Sequence, residues 1–231
     1  INVAHELGHR PSKKEQFLSQ LLLLSTLYMH FYIEHNRGHH KYVSTPQDPA
    51  SARKNEILYF FWIRAVVQSY SNAWKLEKRR LKNSAAGPWS FQNAMLQYSL
   101  FQVVFVASIS ILFGWKASLF FLISALLGIL LLETINYIEH YGLLRKKISE
   151  LRYEDVKPCH SWNSNHRVGR LFLFELSRHS DHHHRPAKKY QILEHTPNSP
   201  QMPTGYPGMM LLSLLPPLFF WVMNKRIPPT L

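Results

Sequence analysis

The fold is decided by Phe91 to His140, FQNAMLQYSLFQVVFVASISILFGWKASLFFLISALLGILLLETINYIEH. From Ser90 to Trp115 there is no Asp, Glu, Lys or Arg, from Ala117 to Leu132 again none, and only Lys116 stands between them. Each run is long enough to cross the roughly 30 Å hydrocarbon core of a bilayer. With Gly114-Trp115-Lys116 as the turn, the pattern predicts a membrane hairpin of helices over 91–113 and 117–141.

Before the hairpin, residues 56–82 read as a helix ending in the basic run Lys75, Lys78, Arg79, Arg80 and Lys82, with Asn83 to Pro88 as its break. Residues 44–55, with Pro46 and Pro49, form a loop. Residues 17–34, FLSQLLLLSTLYMHFYIE, contain no breaker and read as one helix, whose Gln20, Ser25, Thr26 and His30 suit protein packing better than lipid. After the hairpin, 143–170 is polar and turn-rich, 171–184 reads as a helix, and 186–207 is a proline-rich surface segment. The uncharged run from Thr196 to Asn224 is interrupted by Pro216 and Pro217, which favours a kinked, interfacial or re-entrant segment. The expected class is an all-α integral membrane protein, a helical bundle in which 1–231 is a single membrane-bound domain with its hairpin at about 91–141.

With 46% hydrophobic and 18% charged residues the chain is not a disordered one. Lys and Arg number 27 against 14 acids, a formal charge of +13. Such a balance suits nucleic acid, anionic lipid or an acidic partner, and the apolar runs favour lipid and an acidic protein, with no nucleic acid. The basic stretches 53–82 and 145–189 belong on the cytoplasmic side, with the 114–116 turn facing outward. The lone Cys159 excludes an internal disulfide and any four-cysteine metal site.

Histidine is the unusual count, 14. His5 and His9 in HELGHR are spaced i, i+4; His35, His39 and His40 in EHNRGHH repeat that spacing; His179, His182 and His183 in RHSDHH stand at i, i+3, i+4; His140 ends the second membrane helix in NYIEHYG. Residues three or four apart share a helix face, so each cluster offers two imidazoles to one point, as a metal requires. A helix over 17–34 spans roughly 27 Å and a seven-residue loop covers roughly 23 Å, so the first two clusters can reach one centre. Carboxylates adjoin the histidines: Glu6, Glu34, Glu139 and Asp181 are direct neighbours, and Glu133 with Asn136 lies on the face of His140. Such groups accept the second N–H of a ligating imidazole, although a plain helix–helix hydrogen bond accounts for Glu133 equally well. HELGHR also fits the zinc-protease pattern with Glu6 as general base, but this leaves at least six clustered histidines unexplained. A metal carrier is the other rival, and it would carry its histidines in a loose loop.

HELGHR, EHNRGHH, NYIEHYGL and LSRHSDHH, in this order, together with SWNSNH at 161–166 and PTGYPGMM at 203–210, resemble the integral-membrane alkane hydroxylases. These are di-iron alkane 1-monooxygenases; xylene-type hydroxylases share much of the set and membrane desaturases the looser histidine theme. The resemblance covers essentially the whole chain. It implies two non-haem irons on the cytoplasmic side of the bacterial inner membrane, held by His5, His9, His35, His39, His40, His140, His179, His182 and His183 alone. It leaves His30, His160, His166, His184 and His195 in supporting or surface roles. It further implies terminal hydroxylation of medium-chain n-alkanes with O2, electrons from rubredoxin and rubredoxin reductase, and substrate entry from membrane lipid. Leu131, Leu132 and Ile135 become candidate channel walls, or ordinary packing residues. The family's chains carry further membrane helices ahead of HELGHR, so the resemblance also implies that 1–231 is a fragment.

Overall fold

The structure is a computed structural model that describes residues 1–82, 84, 87–150 and 152–229. Of the expected break from Asn83 to Pro88, Asn83, Ala85 and Ala86 lie outside the described residues. Among the described residues the architecture is mostly helical, with a small antiparallel ribbon of β1 (Lys147–Ser149) and β2 (Arg152–Tyr153). The chain forms two compact units, Ile1–Gly38 with Val67–Leu132, and His39–Val66 with Glu133–Leu231.

In the first unit α1 (Asn2–Gly8) packs on α2 (Lys13–Leu24), where Ser19 Oγ donates to the Ala4 carbonyl at 2.6 Å. The single helix expected over 17–34 does not form. The chain reverses after Leu24 in a Schellman turn, with Tyr28 N–H bonding to Leu23 O, Leu27 N–H to Leu24 O, and Leu27 in the left-handed region at φ 54°. The hydroxyls of Ser25 and Thr26 bond back to the carbonyls of Leu22 and Leu23 and support the stop. Helix resumes only in α3 (Phe31–Glu34) and passes into a π-helical turn, His35–His39, followed by the short α4 (His40–Tyr42).

The hairpin forms close to its expected limits. Asn93 caps α6 (Ala94–Phe113) by accepting from Met95 N–H at 2.9 Å, so 91–93 precede the helix. Gly114 alone makes the turn, at φ 83°, and α7 (Trp115–His140) begins at once. Both helices are long and apolar enough to cross a membrane, and only 6% and 22% of their most apolar windows are buried. That exposure argues against the core helices of a soluble protein. Within the first unit Gln20 accepts from Tyr98 Oη at 3.0 Å and Gln102 Oε1 from Met29 N–H at 3.3 Å, which satisfies two polar side chains near apolar surface.

The core of the second unit gathers Phe61 of α5 (Leu58–Leu81), Tyr137 and Tyr141, Trp162, Met202, Tyr206, and Phe219 and Met223. Trp162 donates through Nε1 to Tyr141 O at 2.9 Å and through its backbone to Glu139 O at 2.8 Å, fixing the end of α7. The single helix expected over 171–184 is also two, α8 (Arg167–Phe172) and α9 (His179–His184). Between them Phe174 and Glu175 are left-handed, and the Glu175 carboxylate is gripped by Arg170 at 2.7 Å and Arg178 at 3.3 Å. The uncharged carboxyl-terminal run is broken at the two prolines into α10 (Tyr206–Ser213) and α11 (Pro216–Met223).

Candidate metal centre

In the first unit His5 and His9 share one face of α1, their Nε2 atoms 3.3 Å apart, and His35 Nε2 lies 3.1 Å from His9 Nε2. Phe31 stacks on His35 at 4.6 Å, so the ring is oriented by an aromatic wall. Glu6 pairs with Arg10, and both are buried. A carboxylate committed to a guanidinium is a poor general base, which counts against the zinc-protease reading. Glu34, also buried, accepts from Asn72 Nδ2 at 3.1 Å.

In the second unit the histidines converge more tightly. The ligand atoms of His39, His140, His179 and His183 all lie within 4.8 Å of one another, and all four residues are buried. His39 Nε2 is 3.2 Å from His183 Nε2, and His179 Nε2 is 3.1 Å from His140 Nε2. His40 and His182 lie beside this group, rings 5.1 Å apart. The motifs are therefore divided: His35 stands with His5 and His9, whereas His39 stands with His140, His179 and His183. The step between His35 and His39 is the π-helical turn, wider than a turn of regular α-helix.

Carboxyl groups adjoin the second group. Asp48 Oδ2 lies 2.9 Å from His39 Nδ1 and accepts from Ser51 Oγ at 2.5 Å, while Asp48 Oδ1 accepts from Ala50 N–H at 3.1 Å. Burial opposes the Asp48 charge, but His39 and Ser51 hold its carboxyl below the usual range. Glu139 Oε2 is 3.2 Å from His179 Nε2, and its other oxygen accepts from Tyr206 Oη at 2.7 Å. Asp181 accepts from Lys188 Nζ at 2.7 Å and Glu194 N–H at 2.8 Å. Glu133 accepts from Asn136 at 3.2 Å. Burial, reinforced by neighbouring rings, drives the His183 pKa well below the imidazole range, so the ring is a neutral donor.

This donor set fits a metal. Four imidazoles turned inward provide nitrogen ligands for a divalent transition ion, and Asp48 at the outer nitrogen of His39 supplies offsetting negative charge. The other histidines are placed otherwise. His30 is buried between Tyr28 and Tyr70, its pKa pushed down to about 4 by burial. His160 accepts from Lys157 N–H at 2.9 Å, His195 meets Asn163 at 2.9 Å, and His166 and His184 are exposed. Of the candidate channel walls, Leu131 is exposed, Leu132 half-buried, and Ile135 packs against the second unit's core.

Sequence reasoning missed Asp48 and Tyr206 as partners of the site. Asp48 sits between two prolines and reads as a turn former; its one signal is its position nine residues beyond His39. Arg64 fixes that loop, donating to Glu56 at 2.6 Å and to the carbonyls of Pro49 and Ser51 at 3.0 and 3.1 Å.

Residues 1–213 match the model of the family described as Fatty acid desaturase. The chain is 45% identical over 227 residues to an alkane 1-monooxygenase of Ectopseudomonas oleovorans and 44% identical over 227 to one of Pseudomonas putida, covering 98% of this chain and 57% and 56% of those proteins. It is 30% identical over 225 residues to a xylene/toluene monooxygenase hydroxylase component of Pseudomonas putida, covering 97% of this chain and 59% of that one. It thus spans a little over half the length of the curated relatives it matches. The histidine motifs, the helical fold and these matches agree, and the chain belongs to the fatty acid desaturase family.

Proposed function

We propose that the full-length protein is a membrane-bound di-iron mono-oxygenase that converts medium-chain n-alkanes to 1-alkanols. The observation that carries this reading is the all-imidazole convergence of His39, His140, His179 and His183. The likeness to alkane 1-monooxygenases over 98% of the chain selects the reaction class. Two irons are assigned to His5, His9, His35, His39, His40, His140, His179, His182 and His183. Bound iron would supply O2 activation, one oxygen atom going to the terminal methyl and the other leaving as water after two electrons and two protons arrive. The chain's own part is to orient and insulate. Asp48 fixes the ring of His39 from behind and balances cationic charge, Glu139 stands at the Nε2 edge of His179, and the aromatic core around Tyr137 and Trp162 keeps water out. Glu6, Glu34, Glu133, Asn136 and Asp181 are assigned supporting roles beside the ligands, each tied into the surrounding fold by the bonds given above.

The helices α6 and α7 are assigned to the bacterial inner membrane, with the centre facing the cytoplasm and alkane arriving from lipid. Electrons are assigned to rubredoxin, supplied by its reductase. A recess of about 350 Å³ whose lining includes His40, Lys41, Arg145, Arg152 and Asp155, three cations against one acid, gives an acidic donor a basic approach to a ligand. Lys188, committed to Asp181, supports the site from within and does not serve as a docking cation.

The test is metal analysis of the full-length protein, with product identification from octane incubated with O2, rubredoxin and reductase. Two irons per chain and 1-octanol are expected, and His140→Ala should lower iron content. Zinc as the sole metal, or an unsaturated product in place of the alcohol, would overturn the reading.

A further inference from the structure

The basic run that ends α5 divides into two kinds of cation. Arg80 is turned to the protein: it donates to both oxygens of buried Glu77 and, at 2.6 Å, to Gln92 O. Lys75, Lys78, Arg79 and Lys82 fall at i, i+3, i+4 and i+7, one face of the helix, and all four are exposed. Among the described residues none of the four has a carboxylate within ion-pair distance. Together with Leu81, Ser84, Gly87 and Pro88 they line a recess of about 590 Å³, and its described lining contains no acidic residue. Solvation of a helix end would account for the charges, but not for their gathering around a concave, acid-free surface.

The neighbouring residues fix the depth. Trp89 is 80% exposed and Phe91 69% exposed, and α6 begins three residues later at Ala94. Trp74 and Trp89 have ring centroids 6.1 Å apart. Exposed aromatic rings just ahead of a spanning helix lie at the level of lipid headgroups. The recess therefore opens where phosphates stand, with apolar side chains on the side of the acyl chains.

We propose that this face is a binding site for an anionic phospholipid, whose headgroup phosphate is held by Lys75, Lys78, Arg79 and Lys82 while its chains lie along α6. The site rests on the reading of α6 and α7 as membrane spans. It serves to seat α5, which runs into both units, at a fixed depth in the membrane.

The test uses full-length protein reconstituted in nanodiscs of phosphatidylcholine alone or with phosphatidylglycerol, with retained lipid counted by mass spectrometry. The variant K75Q/K78Q/R79Q/K82Q is compared with K13Q/K14Q/R53Q/K225Q, which removes the same charge from other exposed positions. Each cation at a charged membrane surface is worth about fivefold in lipid partition, so the first variant should hold at least about tenfold less phosphatidylglycerol than wild type. The second should match wild type, and inorganic phosphate at millimolar concentration should not displace the lipid. Equal losses in both variants, or phosphatidylglycerol retained by the first, would overturn the site. Displacement by free phosphate would overturn the assignment to lipid. Wild type recovered in the soluble fraction would remove the membrane reading itself, and the site with it.

Discussion

His39 Nδ1 and Asp48 Oδ2 stand 2.9 Å apart, both side chains wholly buried, so the imidazole is aligned from behind by a carboxylate only nine residues along the chain. An outer partner of this kind fixes ring orientation and tautomer and raises ligand basicity. Asp48→Asn keeps the shape and removes the charge. Iron affinity of the full-length protein should fall about 10- to 100-fold, read by titration against a chelator of known affinity. Undiminished affinity would mean that Asp48 serves the loop and not the ring.

Glu77 performs the corresponding task for the turn that carries the second motif. It accepts from Arg37 Nη1 at 2.5 Å and from Arg80, and also from the first backbone N–H of α6, Ala94 N, at 3.2 Å. Burial opposes its charge, but these donors hold its carboxyl below the usual range. Glu77→Gln should destabilise the fold by about 2–4 kcal/mol, toward the lower end because both arginines reach solvent. Thermal unfolding in detergent measures it, and a shift no larger than that of Glu150→Gln, an exposed position, would refute the clamp.

Docking of an acidic donor against Lys41, Arg145 and Arg152 should weaken with salt, since the Debye length falls from about 10 Å at 0.1 M to about 3 Å at 1 M. Rubredoxin-driven turnover should drop several-fold over that range, through KM more than kcat. Lys41→Gln should flatten the salt response, whereas Lys188→Gln should leave its slope unchanged and lower iron content through Asp181. A rate indifferent to salt would exclude this recess as the approach.

Glu154 gives the clearest pH signature. Lys157 Nζ at 2.6 Å and the backbone N–H of Lys146 at 2.9 Å hold its carboxyl down to about 2. A depressed carboxylate adds stability that is full above its unfolded value near 4.5 and is lost as pH falls toward 2. Melting temperatures of wild type and Glu154→Gln should therefore differ most at pH 5 to 7 and converge only as pH falls to about 2. A gap that is constant with pH would show the loss to be one of packing.

The hairpin was legible because absence of charge over two long runs is a strong signal, and because Gly114 leaves few options at φ 83°. The histidine motifs were legible from their spacing. The two helix breaks were not. Leu27 carries no turn signature, and its left-handed backbone arises from the Schellman bonds around it. At the second break Glu175 is held by ion pairs to Arg170 and Arg178, specific side-chain pairings that helix propensity does not encode. Asp48 was hidden for a related reason: a turn-forming aspartate and a ligand-orienting aspartate look the same until Arg64 is seen to fasten the loop.

The π-helical turn from His35 to His39 also bears on protein engineering. A regular α-helix turns about 100° per residue, so removing one residue from EHNRGHH would rotate everything after it by that amount. Gly38 admits no simple repair, since a Cβ there would run into the Glu34 carboxylate and Asn72. Transplanting the seven residues onto an idealised helical scaffold would preserve the spelling of the motif and misdirect its imidazoles. A designer must instead copy the widened turn together with Glu34, Asn72 and the Arg37–Glu77 tie, treating irregular backbone as part of the metal-binding code.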